Sequence, residues 1–411
     1  MRRASLAAAL ALCAAAATAA PQTDDDMAEP PAAAAPRDFE ATALAFSDLD
    51  GWASDDHAAA LATFKESCHA IRAASPEVRP GLAPTPGLIA VCERALAIAP
   101  SQARAFFESG FTPWRIRAAS GDDAFYTGYY EPDVAASLVP AAGFETALRA
   151  RPRDLVTWPP GDPPPGAPAG MAAARRARDG ALLPMPTRGD IEAGALGEDA
   201  APLAWVRDPV EAFMIQVQGS ARLTLPDGRG LRAVYDGRNG WPYTSIGRVL
   251  ATERGLAPQD LTLEKLKAWV RAAGQKAGED GLALLHRNQS FVFFRLDESA
   301  PPDAGPIGAQ GLRLTKLRSV ATDRTIWPYG TPVWIDVSAP WESEAPTRLA
   351  RLMIAQDTGS AILGPARADI FHGSGATAGL HAGATRHRGA FVVLWPKGES
   401  PNGDSPSAQP R

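Results

Sequence analysis

The segment RLARLMIAQDTGSAILGPARADIF, residues 348–371, decides the prediction of the fold. It opens with the apolar run 352–355, which has the length of a strand, turns at residues 357–359, and returns to apolar sequence at 369–371. Two carboxylates therefore stand at opposite ends of one short loop, each at the edge of a predicted strand. The glycine-rich segment that follows has little side-chain bulk, so a ligand can approach the backbone closely. This pattern is typical of carboxyl-dependent chemistry on a large polar substrate.

The rest of the C-terminal part predicts further strands around this segment. Apolar and β-branched runs separated by glycine and proline turns predict a small β-barrel, and no helical period competes with them. The predicted strands are 312–317, 331–337, 349–355 and 390–395.

The N-terminal part of the mature chain predicts helices from residue 55 to about residue 110. Phe64, Cys68 and Ile71 recur at spacings of three and four. Cys68 and Cys92 are the cysteines that follow the N-terminal segment described below. They either pair, as the oxidising compartment of an exported protein allows, or remain as two buried thiols on neighbouring helices.

The first residues predict export. Arg2 and Arg3 precede the apolar stretch 6–17 and an A-x-A site, which predicts a signal peptide cleaved after Ala19. Leu12 before Cys13 does not fit a lipoprotein signal. Loss of the two arginines changes the net charge from −5 to −7, which gives no electrostatic footprint for nucleic acid. No later apolar run approaches the ~20 residues of a membrane span.

The middle of the chain predicts a polar binding face. Residues 125–132 predict a strand around Gly128, and residues 214–225 predict a second strand that ends at a turn. On that second strand Gln216, Gln218 and Ser220 would share one side. Two amides and a hydroxyl on one side either hydrogen-bond sugar groups or simply face solvent.

Other kinds of site fit the sequence poorly. The spacing of His372, His381 and His387 matches no standard metal-ligand pattern, the glycines of 373–379 are not spaced as in a dinucleotide loop, and G-x-S-x-G is absent. The remaining candidates are the strand-associated carboxylates Asp336, Asp357 and Asp369.

Several motifs in order resemble the membrane-bound lytic murein transglycosylase A family, whose C-terminal part is a three-aspartate domain. The resemblance covers most of the chain from about residue 120 to residue 397. The matching stretches are YTGYYEP (126–132), LLPMPTRGDIEAGAL (182–196), FMIQVQGSARLTLPDG (213–228), NGWPYTSIG (239–247), NQSFVFFR (288–295), LRSVATDRTIWPYGTPVWID (317–336), LMIAQDTGSAILGPARADIF (352–371) and HAGATRHRGAFVVLWPK (381–397).

The resemblance implies a mainly β fold with an N-terminal helical segment. A double-psi β-barrel and an inserted second β-rich domain would flank a groove for the glycan. We expect a signal peptide at 1–19, a linker at 20–50, a split barrel domain at 51–132 and 298–397, the insert at 133–297, and a disordered tail at 398–411.

The resemblance also implies cleavage of the β-1,4 bond between N-acetylmuramic acid and N-acetylglucosamine, with formation of 1,6-anhydromuramic ends and without a cofactor. The implied partners are peptidoglycan strands and, as further candidates, other cell-wall enzymes. The implied location is the periplasm, with the outer membrane as a candidate peripheral attachment. Asp369 would be catalytic with Asp357 in support, and the groove would include Thr127, Gly128, Tyr129, Gln216, Gln218, Gly219, Ser220, Tyr243 and Ser245.

Two alternatives stay open on the sequence. One is an inverting glycan hydrolase with Asp369 as acid and Asp357 or Asp336 as base, since such enzymes need a second carboxylate to activate water. The other is a non-catalytic, expansin-like module that binds glycan without releasing fragments.

Overall fold

The computed structural model describes residues 39–120, 123–257, 261–299, 301, 304–343 and 345–402. The predicted signal peptide, Cys13 and residues 403–411 of the predicted tail lie outside the described residues. Strand β1 (Phe39–Ala43) falls inside the segment predicted as a linker, so that prediction is wrong for these residues. The strand forms because it pairs antiparallel with β2 (Phe111–Ala118), and the Phe39 ring packs 5.4 Å from the ring of Trp327.

The helices and strands follow one another along the whole described chain. The α-helices are α1 (His57–Ala73), α2 (Pro86–Ala95), α3 (Ala103–Gly110), α4 (Arg188–Glu192), α5 (Pro209–Gln218), α6 (Ile246–Arg254), α7 (Leu263–Ala272), α8 (Asp280–His286) and α9 (Ala376–Ala384), with short 3-10 turns at Phe46–Asp48, Trp52–Ser54, Pro100–Gln102 and Gly197–Ala200. The strands after β2 are β3 (Ala124–Glu131), β4 (Asp133–Ala135), β5 (Thr146–Arg149), β6 (Leu155–Thr157), β7 (Ala173–Arg176), β8 (Leu182–Leu183), β9 (Pro202–Val206), β10 (Ser220–Thr224), β11 (Gly230–Arg238), β12 (Val292–Asp297), β13 (Ser319–Thr322), β14 (Pro332–Ala339), β15 (Thr347–Asp357), β16 (Arg367–Ser374) and β17 (Arg386–Pro396).

Strands from both halves of the chain close a six-stranded barrel. The order is β17-β14-β15-β13-β16-β3, and β3 pairs again with β17 to complete the ring. Its interior holds buried apolar side chains such as Val333, Met353, Ile370 and Phe391. The prediction of a mainly β fold with a barrel is confirmed. The predicted strands 331–337, 349–355 and 390–395 all lie in it, as β14, β15 and β17.

The helices α1–α3 cover one outer face of this barrel. Phe64, Phe107 and Phe111 form an aromatic cluster that packs against barrel residues such as Trp334 and Leu352. Of the two alternatives for the cysteines, the structure shows the disulfide, which joins Cys68 on α1 to Cys92 on α2.

The residues between β3 and β13 build further layers beside the barrel. Their largest sheet has the order β12-β11-β10-β4, and two smaller sheets pair β5 with β9 and β6 with β7 and β8. Helix α5 and the helices α6–α8 share an apolar cluster that includes Phe213, Leu250 and Val270. These elements form the second β-rich part that was expected.

The strand predicted at 214–225 is wrong over its first half. Residues up to Gln218 belong to helix α5, and β10 begins only at Ser220. Asp208 caps the helix N-terminus by accepting from the Glu211 backbone N–H, and Gly219 ends the helix with φ +82°. Gln216 and Gln218 therefore do not share the face of a strand.

Two predictions in the C-terminal part are also wrong. Residues 312–317 form a bend, an isolated β-bridge at Arg313 and the start of a turn instead of a strand. The glycine-rich segment after Asp369 contains helix α9, although no helix was expected there. The small residues make this helix possible because it packs directly on β3. A Cβ atom at Gly128 would lie 2.7 Å from the Cα of Ala382 and 2.8 Å from the His372 ring.

Candidate active site

The two carboxylates of the opening segment lie in one cleft between the barrel and the inserted layers. Asp357 is the last residue of β15, and Asp369 is the third residue of β16. Strand β3 runs parallel to β16, with Thr127 directly opposite Asp369. The cleft is lined by both acids, by residues of the helix–strand junction at 216–220 and by residues of the loop 358–362. Other strands, helices and loops also contribute lining residues, among them Arg79, Tyr129, Arg188, Tyr235, Arg238, Tyr243, Asn288 and Ser290.

Asp369 is held through one oxygen and open at the other. Its Oδ1 accepts a 2.5 Å hydrogen bond from the Thr127 hydroxyl, which in turn accepts from the Arg367 guanidinium at 2.8 Å. Within the described residues no hydrogen bond reaches its Oδ2. Burial raises the pKa of the Asp369 carboxyl, and the charge of Arg367 and the Thr127 bond offset this only in part. A carboxyl that keeps its proton can act as a general acid.

Asp357 is bonded at both oxygens. Its Oδ1 accepts from the backbone N–H groups of Thr358 (2.8 Å) and Ala309 (2.9 Å), and its Oδ2 accepts from the Tyr129 hydroxyl at 2.8 Å. Burial raises the pKa of Asp357, and these three donors lower it in part. The carboxyl thus fixes the start of the loop that leads to Asp369.

Asp336 lies outside the cleft. It is on β14, and both of its oxygens accept from the Arg348 guanidinium, at 2.8 and 2.7 Å. It lines a separate surface depression with Arg115 and Arg388. The structure therefore brings together two of the three aspartates that the sequence singled out.

Residues 216–220 (QVQGS) lie at the junction of α5 and β10 and do not share the face of one strand. Gln216 is buried, and its amide oxygen has no hydrogen-bond partner in the described part of the chain. The amide oxygen of Gln218 instead accepts from the Tyr130 backbone N–H at 3.0 Å, which fastens the end of α5 to β3. Gly219 and Ser220 follow at the junction and line the cleft, as does Tyr243.

The remaining predicted residues act from outside the cleft wall. Thr127 contacts the acid directly. Gly128 lies under helix α9, where its missing side chain permits close packing. Ser245 caps α6 by accepting from the Arg248 backbone N–H at 3.3 Å.

Sequence reasoning missed several residues that line the cleft. Arg188 is buried between the rings of Phe213 (4.5 Å) and Phe291 (5.4 Å), and it donates to the carbonyls of Asn288 and Ser290. Arg188, Asn288 and Ser290 line the cleft and lie in the stretches 182–196 and 288–295 that match the family. Their place in these stretches was the signal that could have identified them as cleft residues. Arg79, Tyr235 and Arg238 lie outside every matched stretch.

His372, His381 and His387 do not come together as one group of potential metal ligands. The rings of His372 and His381 are 6.4 Å apart, and His372 Nε2 lies 3.1 Å from the Thr385 hydroxyl. No group of three or more potential His, Cys, Asp or Glu ligands occurs among the residues that the structure describes. Within the same residues, no helix has the length and apolar character needed to cross a bilayer.

Comparison with known proteins gives two family matches on this chain. Residues 125–295 match the MltA specific insert domain, and residues 318–395 match the 3D domain. Among solved structures, the membrane-bound lytic murein transglycosylase from Agrobacterium tumefaciens superposes with a TM-score of 0.76 at 32% identity, covering 87% of this chain and 98% of that one. MltA from Neisseria gonorrhoeae gives 0.70 at 28% identity, with 91% and 99% covered.

Curated relatives agree. Membrane-bound lytic murein transglycosylase A of Vibrio cholerae is 36% identical over 216 residues, which are 51% of this chain and 55% of that protein. The match thus spans about half the length of that relative. The Escherichia coli K12 protein of the same name is 30% identical over 292 residues, 69% of each chain. The chain therefore belongs to the membrane-bound lytic murein transglycosylase A family.

Proposed function

We propose that the protein is a lytic transglycosylase that cleaves the β-1,4 bond between N-acetylmuramic acid and N-acetylglucosamine in peptidoglycan. The observation that carries the proposal is the contrast between the two acids of the cleft. Burial raises the pKa of both carboxyls, but Asp369 has one open oxygen, whereas Asp357 is occupied by three donors. A single working acid is what an intramolecular reaction needs. The names of the relatives support this reading, as does the E. coli MltA structure with bound chitohexaose (TM-score 0.59, 28% identity, 82% of this chain and 90% of that one covered).

The reaction requires one proton to move out and one to return. Asp369 donates its proton to the glycosidic oxygen as the bond to the anomeric carbon breaks. The C6 hydroxyl of the same muramic acid then attacks that carbon, closes the 1,6-anhydro ring, and returns a proton to Asp369. No water is consumed, so the fragment with the anhydro end is one water lighter than a hydrolysis product.

The neighbours of Asp369 have positioning roles in this reaction. Thr127 holds Oδ1 of Asp369 and is itself held by Arg367, which leaves Oδ2 free for the substrate. Gln216 lines the same cleft, and its buried amide oxygen has no hydrogen-bond partner among the described residues. Tyr129 and Ser220 line the same wall.

The location and the division of the chain complete the proposal. We assign the mature protein to the periplasm because of the signal peptide predicted at 1–19 and the membership of the family. Residues 51–132 and 298–397 would carry the acid, and residues 133–297 would supply the opposite wall for the glycan. Peptidoglycan strands are the proposed partner, and contacts with other cell-wall enzymes remain a prediction from the resemblance.

The test is mass-resolved release of muropeptides from purified sacculi. We expect the native protein to yield anhydro ends without hydrated counterparts. Asp369→Asn is nearly isosteric but has no proton to donate, so turnover should fall by about 10²–10⁴-fold, the usual effect of a positioned acid. Asp357→Asn should cost less, because it disturbs the loop and leaves the acid in place.

Controls separate chemistry from folding. Asp227→Asn, at an exposed hairpin tip, removes an equal charge and should retain native turnover. Binding to sacculi should survive in the Asp369 variant. Hydrated products from the native protein would show that it is a two-carboxylate hydrolase and not a transglycosylase. Near-normal turnover of Asp369→Asn would show that another residue is the acid.

A further inference from the structure

Three arginines gather around one end of the cleft without a carboxylate partner. Each donates to a neutral oxygen instead. The bonds join Arg79 to the Thr358 carbonyl (3.1 Å), Arg238 to the Ser360 hydroxyl (2.7 Å), and Arg324 to the Pro80 carbonyl (2.8 Å). Arg79 and Arg238 line the cleft, and the Arg79 guanidinium lies 5.6 Å from the centre of the Tyr235 ring, another cleft residue.

The acids near this cluster form no direct ion pair with it among the described residues. Across the described residues, none of the three arginines lies within ion-pair distance of a carboxylate. Glu77 accepts from the Gly81 backbone N–H at 2.7 Å, and Asp323 accepts from Thr325 and from Gly364. Asp357 is held by its three donors. The positive charge at this end of the cleft is therefore offset only by acids beyond ion-pair distance, with Asp357 acting on Arg79 and with Glu77 and Asp323 acting on Arg324.

Two buried arginines elsewhere in the chain do have carboxylate partners. Arg318 forms a bidentate pair with Asp55, at 2.9 Å through each guanidinium nitrogen, and Arg232 Nε lies 2.7 Å from Glu131. Paired burial is the usual arrangement, because an unpaired buried charge is costly. Burial, together with the neighbouring Arg79, lowers the pKa of Arg238 and of Arg324 to about 10. An anion placed between these groups would relieve that cost.

We propose that Arg79 and Arg238 form an anion subsite that binds a carboxylate carried by the glycan. This rests on the proposed function and names a feature of the substrate that the cleft recognises. A guanidinium fork matches a carboxylate in geometry as well as in charge. In peptidoglycan the carboxylate comes from the lactyl group of a bare muramic acid or from the peptide attached to that lactyl group. Chitin strands have neither.

The subsite adjoins the catalytic loop. Arg79 bonds to the carbonyl of Thr358, and Arg238 bonds to Ser360, within the loop that joins Asp357 to Asp369. A carboxylate bound by both arginines would therefore order this loop as well as anchor the strand.

The test measures binding in the Asp369→Asn background, where the substrate is not consumed. Isothermal titration would compare three ligands of similar length: chitohexaose, peptide-free glycan hexasaccharides with free lactyl carboxylates, and peptide-bearing hexasaccharides. We expect carboxylate-bearing ligands to bind more tightly than chitohexaose, with a preference that falls as salt rises. Of the two carboxylate-bearing ligands, the one that binds more tightly identifies the source of the carboxylate.

Arg79→Gln and Arg238→Gln should each reduce this preference by about tenfold or more, as expected for loss of a charge-assisted hydrogen bond. Arg79→Lys and Arg238→Lys should restore part of it, which separates charge from folding. Arg229→Gln removes an exposed arginine that directly follows the turn at 226–228. It is the matched control and should keep the full preference for carboxylate-bearing ligands.

Two results would overturn the proposal. The first is equal weakening of all three ligands by the glutamine variants, which would leave the arginines as structural parts of the cleft wall. The second is a preference that the variants do not change. Neither result depends on the product of the reaction, so a failure here is distinct from a failure of the transglycosylase assignment.

Discussion

At Asp369 the surroundings pull the pKa in opposite directions. Burial raises it most, and Arg367 and Thr127 lower it, with a net upward shift. The threonine hydroxyl transmits the influence of the arginine, since it accepts from Arg367 and donates to Asp369. The acid thus remains protonated over a wider pH range than an exposed aspartate, yet retains one fixed oxygen.

Thr127→Val should shift the pH dependence of the reaction. The variant keeps the shape of the side chain but loses the bond that favours the charged carboxylate, so the pKa of Asp369 rises further. The alkaline limb of the kcat/KM profile should therefore move to higher pH. Thr63→Val on α1, whose hydroxyl donates to the Ala59 carbonyl, is the control and should leave the limb in place. An unmoved limb in the Thr127 variant would show that this bond does not tune the acid.

Asp369→Asn should also change stability in a pH-dependent way. The folded pKa lies above the unfolded value of about 4, so the stability from protonated Asp369 is fully present below that value and is lost as pH rises through the folded pKa. Asparagine does not titrate. The variant should therefore gain Tm relative to the native protein at pH 8 and lose most of that gain at pH 4. An equal difference at both pH values would contradict the raised pKa.

Helix α5 shows that a short apolar pattern does not by itself distinguish a strand from a helix. In FMIQVQ the apolar residues alternate as in a strand, yet Val210, Phe213 and Val217 also recur at helical spacing. The end signals distinguish the two, since Asp208 and Gly219 are a helix cap and a helix stop. For α9 the sequence offers no such signal. Its glycines disfavour a helix, and packing on β3 and β16 stabilises it.

The disulfide between α1 and α2 should contribute measurably to stability. It closes a loop with a sequence separation of 24, and bridges of this size typically stabilise by about 3 kcal/mol. The double variant Cys68→Ala/Cys92→Ala should lose about that much in urea unfolding. Reduction of the native protein should reproduce the loss, and a reductant should not affect the double variant. Equal stability before and after reduction would mean that helix packing alone holds this layer.

The whole molecule is joined by a buried ion pair between its two β-rich parts. Glu131 ends barrel strand β3, and Arg232 lies on β11 of the neighbouring sheet, with Nε 2.7 Å from the carboxylate. Ser374 adds a 2.9 Å hydrogen bond to Glu131, and Arg232 donates to the Ala304 carbonyl. Burial raises the pKa of Glu131, and Arg232 lowers it in part.

Arg232→Met should leave Glu131 buried and unpaired, at a cost of about 3–5 kcal/mol in the free energy of unfolding. Adding Glu131→Gln should recover part of the loss, because no charge then remains. Urea unfolding of the single and double variants measures both effects. A double variant less stable than Arg232→Met would show that Glu131 has a role beyond this pair.

Motifs and strand patterns were sufficient to predict the barrel, the family and the two acids of the cleft. They did not identify Arg79, Tyr235 or Arg238, because these residues reach the cleft only through the packing of distant segments. For Asp336 the sequence pattern predicted a site residue where there is none in the cleft. This aspartate also lies on a strand, but it is paired with Arg348 outside the cleft.

The parallel pairing of β3 with β16 has a consequence for biosynthesis. Thr127 and Asp369 are 242 residues apart in sequence and become neighbours only when the barrel closes. A partly synthesised chain that ends before β16 contains the threonine without the carboxyl of Asp369. Pairings of such long sequence separation also form late, because loop closure must precede them. The carboxyl that we propose as the acid would thus meet the threonine that holds it only after synthesis is complete and the barrel has closed.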